Sequence, residues 1–178
     1  YIYTFMTKNI SKFKKNLTVI ILCGGKGQRL KPLTLETPKP LIKIKNQTIL
    51  EYIINHLLKY NIKNIIIAAG YKNQLIKKFI TKKYKKKIEV INTGIKTDIL
   101  LRIRKIMNKK KGDFLICYGD TLADINIDKL IKFHISNEKK IILSSFELKS
   151  TFGILNINKN TNSVINFTEK PGLDIWFN

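Results

Sequence analysis

An apolar run, Val19-Ile20-Ile21-Leu22, leads into Cys23-Gly24-Gly25-Lys26-Gly27-Gln28-Arg29-Leu30, and Pro38-Lys39-Pro40 follows shortly after. Four apolar residues in succession read as a buried strand. A strand that ends in glycines offers backbone N–H groups with no side chain in front of them, so phosphate oxygens can approach. Arg29 and Lys39 bring positive charge to the same loop from two points. The chemistry this predicts is the holding of a polyanion. Two familiar phosphate motifs fit poorly. The P-loop spacing and its hydroxyl are absent, and Leu30 stands where the third glycine of Gly-x-Gly-x-x-Gly would be.

Other charged residues sit where strands should end. Asp120 follows Gly119 after an apolar run, and a carboxylate there can hold Mg²⁺, whose shell is completed by phosphate oxygens and water. Its alternative role is to cap the segment Thr121-Leu122-Ala123-Asp124. Glu169-Lys170-Pro171 could hold a sugar hydroxyl and a phosphate at once, or be a surface ion pair. His56 and His134 fall in helical patterns with no matching Cys, Asp or Ser constellation, and read as structural. Cys23 and Cys117 are too few for a disulfide framework and lie in no zinc-type cluster, so they read as small buried side chains.

The elements that must position these groups alternate. Helical spacing is expected at Leu50 to Leu58, Asn73 to Tyr84, Ile99 to Met107, and from Asp128 as N-cap. Strands are expected at Val19 to Leu22, Leu41 to Ile44, Asn64 to Ala69, Ile88 to Asn92 and Asp113 to Tyr118. Lys140 to Phe146, Phe152 to Ile157 and Val164 to Glu169 are strand-like as well. Strands alternating with helices imply an α/β architecture, a mostly parallel sheet covered on both faces. Ligands of such sheets bind beyond the carboxyl ends of the strands, which is where Cys23-Gly24-Gly25 and Tyr118-Gly119-Asp120 fall.

The chain has 178 residues and a formal net charge of +22, with a mean hydropathy of −0.10. Its densest basic runs, Lys82 to Lys87 and Lys109 to Lys111, lack the interleaved aromatics of nucleic-acid platforms. Lysine is spread over nearly every expected surface beside abundant isoleucine and asparagine, a composition that A/T-rich codons explain without a partner. Binding to arbitrary nucleic acid is therefore a third reading, behind an enzyme and a non-catalytic binding module. No apolar run approaches the roughly 20 residues that cross a bilayer, and no signal peptide is visible. The expected location is cytoplasmic. Residues 1–16 are expected to be disordered or extraneous, with Met6 as a plausible start, and 17–178 to form one domain.

Together these motifs resemble the sugar-phosphate nucleotidylyltransferases. The family pattern Gly-Gly-x-Gly-x-Arg-Leu-x-Pro-Leu-Thr, then Pro-Lys-Pro, is matched by Gly24 to Thr34 and Pro38 to Pro40. The resemblance implies a Rossmann-like three-layer sandwich, the nucleotide-diphospho-sugar transferase fold. It also implies the reaction of an NTP with a sugar 1-phosphate to give an NDP-sugar and pyrophosphate, with Mg²⁺ as cofactor. Carried over by position, Cys23, Gly24, Gly25, Gly27, Arg102 and Gly119 would meet the nucleotide, and Arg29 and Lys39 the phosphates as catalytic groups. Asp120 would be the magnesium ligand; Glu169, Lys170 and Gly153 would hold the sugar phosphate.

Within the family the second half is most similar to glucose-1-phosphate cytidylyltransferase. That likeness rests on Asn92-Thr93-Gly94, on Asp124-Ile125-Asn126-Ile127, on Phe133-His134, on Phe152-Gly153 and on Glu169-Lys170-Pro171 followed by Trp176-Phe177-Asn178. CTP and glucose 1-phosphate are the expected substrates; a guanylyltransferase for mannose or heptose 1-phosphate is the alternative. No dedicated nucleic-acid or membrane partner is expected, and a homo-oligomer is left open. Three departures stand out: Gln28 replaces a usual threonine, Ile99-Leu100-Leu101 replaces a small Thr-Gly-Gly, and family members continue beyond Asn178. The domain is therefore expected to be truncated at its C-terminus.

Overall fold

The strand β1 (Thr18–Cys23) lies at the heart of the fold, between β4 (Asn64–Ala69) and β6 (Phe114–Tyr118), with β5 (Glu89–Asn92) beyond β4. All three pairings are parallel. The computed structural model describes residues 10–85, 87–137 and 141–177, which divide into two compact units at Phe133/His134.

Alternation along β1 builds two cores. Val19, Ile21 and Cys23 face one side with Ile65, Ile67 and Ala69 of β4. There they meet α3 (Ile49–Lys59), α4 (Asn73–Tyr84) and α6 (Ile127–Ser136) through Leu50, Ile54, Leu57, Ile76, Ile80 and Ile131. Ile20 of β1, with Ile66 and Ala68 of β4, faces the other side against Ile106 of α5 (Ile99–Met107). Period-two strands between period-3.6 helices thus give three layers, helix on sheet on helix. This is the architecture the alternating pattern predicts.

Sheet order decides where a site can form. Chain order runs outward from β1 to β4 and β5, then returns by way of α5 to place β6 on the far side of β1. The reversal lies between β1 and β6, and their carboxyl ends open side by side. A crevice at such a switch point is the standard ligand position in parallel α/β sheets.

Several local expectations need correction. Residues 10–16, expected to be disordered, are helical (α1), with Ile10 and Phe13 packed on the larger core. Leu41 to Ile44 is not one strand: Lys39–Leu41 is a 3-10 turn. Only Lys43–Ile44 (β2) pairs with Gln47–Thr48 (β3). The prolines at 38 and 40 explain this, since each fixes its own φ and removes a ladder donor. Asp128 does not cap α6. The helix begins one residue earlier, Asn126 Oδ1 accepts from Lys129 N at 3.0 Å, and Asp128 pairs with Lys14. Residues 141–145 are irregular, and β7 (Phe146–Lys149) starts later than expected.

The second unit is built from antiparallel pairs. β7 pairs with β10 (Gly172–Phe177), and β8 (Ile154–Ile157) pairs with β9 (Val164–Thr168).

Candidate functional site

Leu22 of β1 lies opposite Tyr118 of β6, so Gly24 and Asp120 leave the sheet as neighbours. Gly119 N donates to Leu22 O at 2.9 Å, which ties the two exits together. Gly119 has no room for a side chain: a methyl there would overlap Cys23 Sγ and lie 2.7 Å from Leu22 O.

The glycine loop then rises over this edge. Gly25 faces open space, as an approach route for a ligand requires. Gly27 adopts φ +63°, a left-handed conformation that glycine takes without strain. It starts the 3-10 turn Gln28–Leu30, which carries Arg29. A short helix, α2 (Leu33–Glu36), follows, and the second turn, Lys39–Leu41, brings Lys39 back to the same place.

Gly27, Gln28, Arg29, Leu30, Lys39 and Asp120 line one cavity of about 330 Å³. Lys39 Nζ lies 2.8 Å from Asp120 Oδ2, and both side chains are partly open to solvent. Arg29, Lys39 and Asp120, over ninety residues apart in sequence at the extremes, therefore share a single cleft. A larger open groove of about 450 Å³ is lined by Gln74, Lys77, Lys78, Thr81 and Lys82 of α4 alone. One face of one helix gives no convergent chemistry, and we read it as a solvated basic surface.

Arg102 sits elsewhere, beneath the loop. Asp98 caps α5 by accepting from Leu101 N at 2.8 Å, which fixes the turn that carries Arg102. The guanidinium is buried and lies against Gly24, where a methyl would overlap it. Nη1 donates to Ala69 O at 3.1 Å and to Thr93 Oγ1. Nη2 donates to Gly94 O at 3.1 Å and Thr97 O at 2.9 Å. Both amino groups are thus spent on joining the ends of β4 and β5 to α5. Burial lowers its pKa, opposed by Cys23 and Asp98. Ile99, Leu100 and Leu101, on the same helix, are exposed, with Leu100 at 79%.

Both cysteines behave as apolar groups, Cys23 buried and Cys117 half-buried. Burial raises the Cys23 thiol far above its ordinary value, Asp120 adds to the rise and Arg102 opposes it. Burial pushes Cys117 up to about 11. His56 is structural in the same sense: Nε2 bonds Ile125 O at 2.8 Å, and the ring meets Tyr60 edge-on.

In the second unit, Glu169 and Lys170 pair at 3.6 Å, both well exposed. Gly153 packs against Phe167, and a methyl on it would lie 3.1 Å from Glu169 Oε2. These three residues come together within that unit.

Two residues outside the expected set also shape the loop. Thr34 Oγ1 donates to Gly27 O at 3.0 Å. Tyr71 N donates to Gly24 O at 3.1 Å, and Tyr71 Oη donates to Thr34 O at 3.0 Å. Thr34 stands inside the Pro-Leu-Thr motif, so its sequence signal was present; Tyr71, directly after Gly70 at the end of β4, carried none.

Among the described residues no group of three or more His, Cys, Asp or Glu could hold a metal unaided. Asp120 supplies one carboxylate beside a cation-rich cleft. That donor set fits Mg²⁺ held jointly with phosphate oxygens, because this ion takes one or two carboxylates and fills its shell from substrate and water.

The chain is 31% identical over 162 residues to a mannose-1-phosphate guanyltransferase of Gibberella zeae, covering 85% of this chain and 44% of that protein. It is 33% identical over 163 residues to D-glycero-alpha-D-manno-heptose 1-phosphate guanylyltransferase of Campylobacter jejuni, covering 86% of this chain and 69% of that one. The fold is similar to the crystal structure of HddC from Yersinia pseudotuberculosis complexed with GMP-PN. There the TM-score is 0.64 at 24% identity, over 86% of this chain and 69% of that one. The chain thus spans less than half the length of the Gibberella relative. Residues 18–175 match the family described as Nucleotidyl transferase, and the chain belongs to that family.

Proposed function

We propose that this chain carries the nucleotide-binding part of an enzyme that transfers a nucleotidyl group from an NTP to a sugar 1-phosphate. The observation that carries the reading is the cleft shared by the glycine loop, Arg29, Lys39 and Asp120. In this reaction an oxygen of the sugar phosphate bonds to the α-phosphorus. The bond from that phosphorus to the bridging oxygen breaks, and pyrophosphate leaves with the electron pair. The attacking phosphate is already ionised at neutral pH, so no general base is needed. The obstacles are repulsion between two anions and charge arriving on pyrophosphate, and fixed cations answer both.

Arg29 and Lys39 would hold the phosphates, and the backbone of Gly24, Gly25 and Gly27 would give the nucleotide a close seat beside Cys23 and Gly119. Asp120 would hold Mg²⁺ together with the triphosphate, and the ion's contribution is charge neutralisation. Glu169, Lys170 and Gly153 would hold the sugar phosphate. Arg102 serves the nucleotide indirectly in this account, since its two amino groups are already committed to carbonyl and hydroxyl acceptors.

The base has two supported readings. The motifs of the second half favour CTP with glucose 1-phosphate, whereas relatives named as guanyltransferases for mannose and heptose 1-phosphates favour GTP. The location is expected to be cytoplasmic; among the described residues no helix is long and apolar enough to cross a membrane. A panel of the four NTPs against glucose, mannose and heptose 1-phosphates, with Mg²⁺, tests the proposal by pyrophosphate release. One strong pair identifies base and sugar. Nucleotide binding without pyrophosphate from any pair would favour a non-catalytic module.

A further inference from the structure

Three of the four residues of the loop Gly24–Gly27 are glycines, so whatever holds Gly24 and Gly27 does much to set the position of the amides between them. Its middle faces open space on the side where Gly25 would carry a methyl. Its two ends converge on one residue. Tyr71 grips the start through its backbone, N to Gly24 O at 3.1 Å. It reaches the end through its phenol, Oη to Thr34 O at 3.0 Å, and the Thr34 hydroxyl passes the restraint to Gly27 O at 3.0 Å. Thr34 is 1% exposed, so its groups have little access to water as a substitute partner. Its methyl also backs Gly27, 2.9 Å from where a Cβ would be.

Tyr71 is itself anchored. It follows Gly70, whose carbonyl accepts from Asn73 N at 3.2 Å, at the junction between β4 and α4. Lys72 Nζ lies 5.6 Å from the centre of its ring, a cation–π distance. The phenol thus links a strand end to a loop made mostly of glycine.

We propose that Tyr71, acting through Thr34, is the positioning residue of the phosphate-holding loop, and that its hydroxyl sets nucleotide affinity without touching nucleotide. The proposal rests on the reading of that loop as a nucleotide site. Its geometric half can be tested independently.

The test uses the chain with Tyr71→Phe, Thr34→Val and both together. Amide hydrogen exchange at residues 25–27 reads the loop itself. Calorimetric titration with Mg²⁺ and CTP, and separately with Mg²⁺ and GTP, reads affinity, and thermal melting reads overall stability. Tyr71→Phe is expected to speed loop exchange and weaken NTP binding about three- to tenfold, the usual worth of one neutral hydrogen bond. Its melting temperature should stay close to that of the parent. The two links act in series, so the double variant should bind no more weakly than Thr34→Val alone. Unchanged loop exchange in Tyr71→Phe would overturn the brace, as would losses that multiply in the double variant. A lowered melting temperature with unaltered affinity would reduce Tyr71 to a structural residue and equally refute the proposal. Faster exchange in a chain whose parent binds no NTP would refute the nucleotide reading and leave the brace standing.

Discussion

Lys39→Met separates what the lysine does for the fold from what it does for the reaction. The substitution keeps most of the stem and removes the charge 2.8 Å from Asp120 Oδ2. Two unit charges at that separation attract by about 1.5 kcal/mol in a water-like dielectric. The Asp120 side chain is 38% exposed, so after side-chain ordering the pair is worth at most about 1 kcal/mol of stability. The melting temperature should therefore fall by no more than roughly 2–4 °C. If the proposed function holds, turnover should fall far more, by about 10²–10³, because a preorganised cation facing developing phosphate charge is worth about 2.7–4 kcal/mol at comparable sites. A third readout moves the other way. With its lysine gone, Asp120 is freer to meet a divalent cation, and Mn²⁺ binding without nucleotide, followed by electron paramagnetic resonance, should tighten by about three- to fivefold. The assay for turnover is pyrophosphate release, with calorimetric NTP binding as the companion. Turnover within about threefold of the parent would refute the assignment of Lys39 to the phosphates.

Four further outcomes are expected. Arg29→Ala should lower turnover by about 10²–10³ while leaving the melting curve nearly in place; a collapse of folding instead would point to a structural arginine. Asp120→Asn should shift the Mg²⁺ dependence of nucleotide binding to higher concentration, and an identical titration curve would remove its metal role. Gly119→Ala should cost about 1–3 kcal/mol in urea unfolding, since the methyl has to displace Cys23 Sγ or the Leu22 backbone; unchanged stability would contradict the tight strand exit. Burial raises Cys117 from 9.0 to about 11, so the folded state keeps a proton that the unfolded chain releases. That contribution is complete below pH 9 and is lost as pH climbs towards 11. Cys117→Ala should therefore show a shallower fall of urea midpoint across this window, and equal slopes would count against a buried neutral thiol.

Much of the fold was legible because its cause is periodic. Isoleucine-rich runs made β1 and β4 plain, and the spacing of Leu75, Ile76, Phe79 and Ile80 predicted α4 at Asn73–Tyr84, where it lies. Element ends were harder where one residue type serves two roles. Asp128 looked like an N-cap, but a carboxylate in the first turn also suits the helix dipole, and Asn126 holds the cap instead. Prolines beside Lys39 turned an apolar tetrapeptide into a 3-10 turn.

The cleft was legible for a different reason. A parallel sheet sends strand ends to one edge, so Gly24 and Asp120 could be placed together from topology alone. Side-chain partners could not. Nothing local in Ile99-Leu100-Leu101-Arg102 says that the arginine turns inward to gather carbonyls at Ala69, Gly94 and Thr97. Nor does Gly70-Tyr71 announce a link to Thr34, thirty-seven positions away. Such contacts depend on which loops fold over which strand ends, and that follows from tertiary packing.

The most direct test of the central claim is a crystal structure of this chain with Mg²⁺ and the NTP it prefers. The account predicts phosphates lying between the Gly24–Gly27 backbone and the side chains of Arg29 and Lys39, with the metal bridging them to Asp120. Phosphates found on the lysines of α4, with the glycine loop empty, would contradict it.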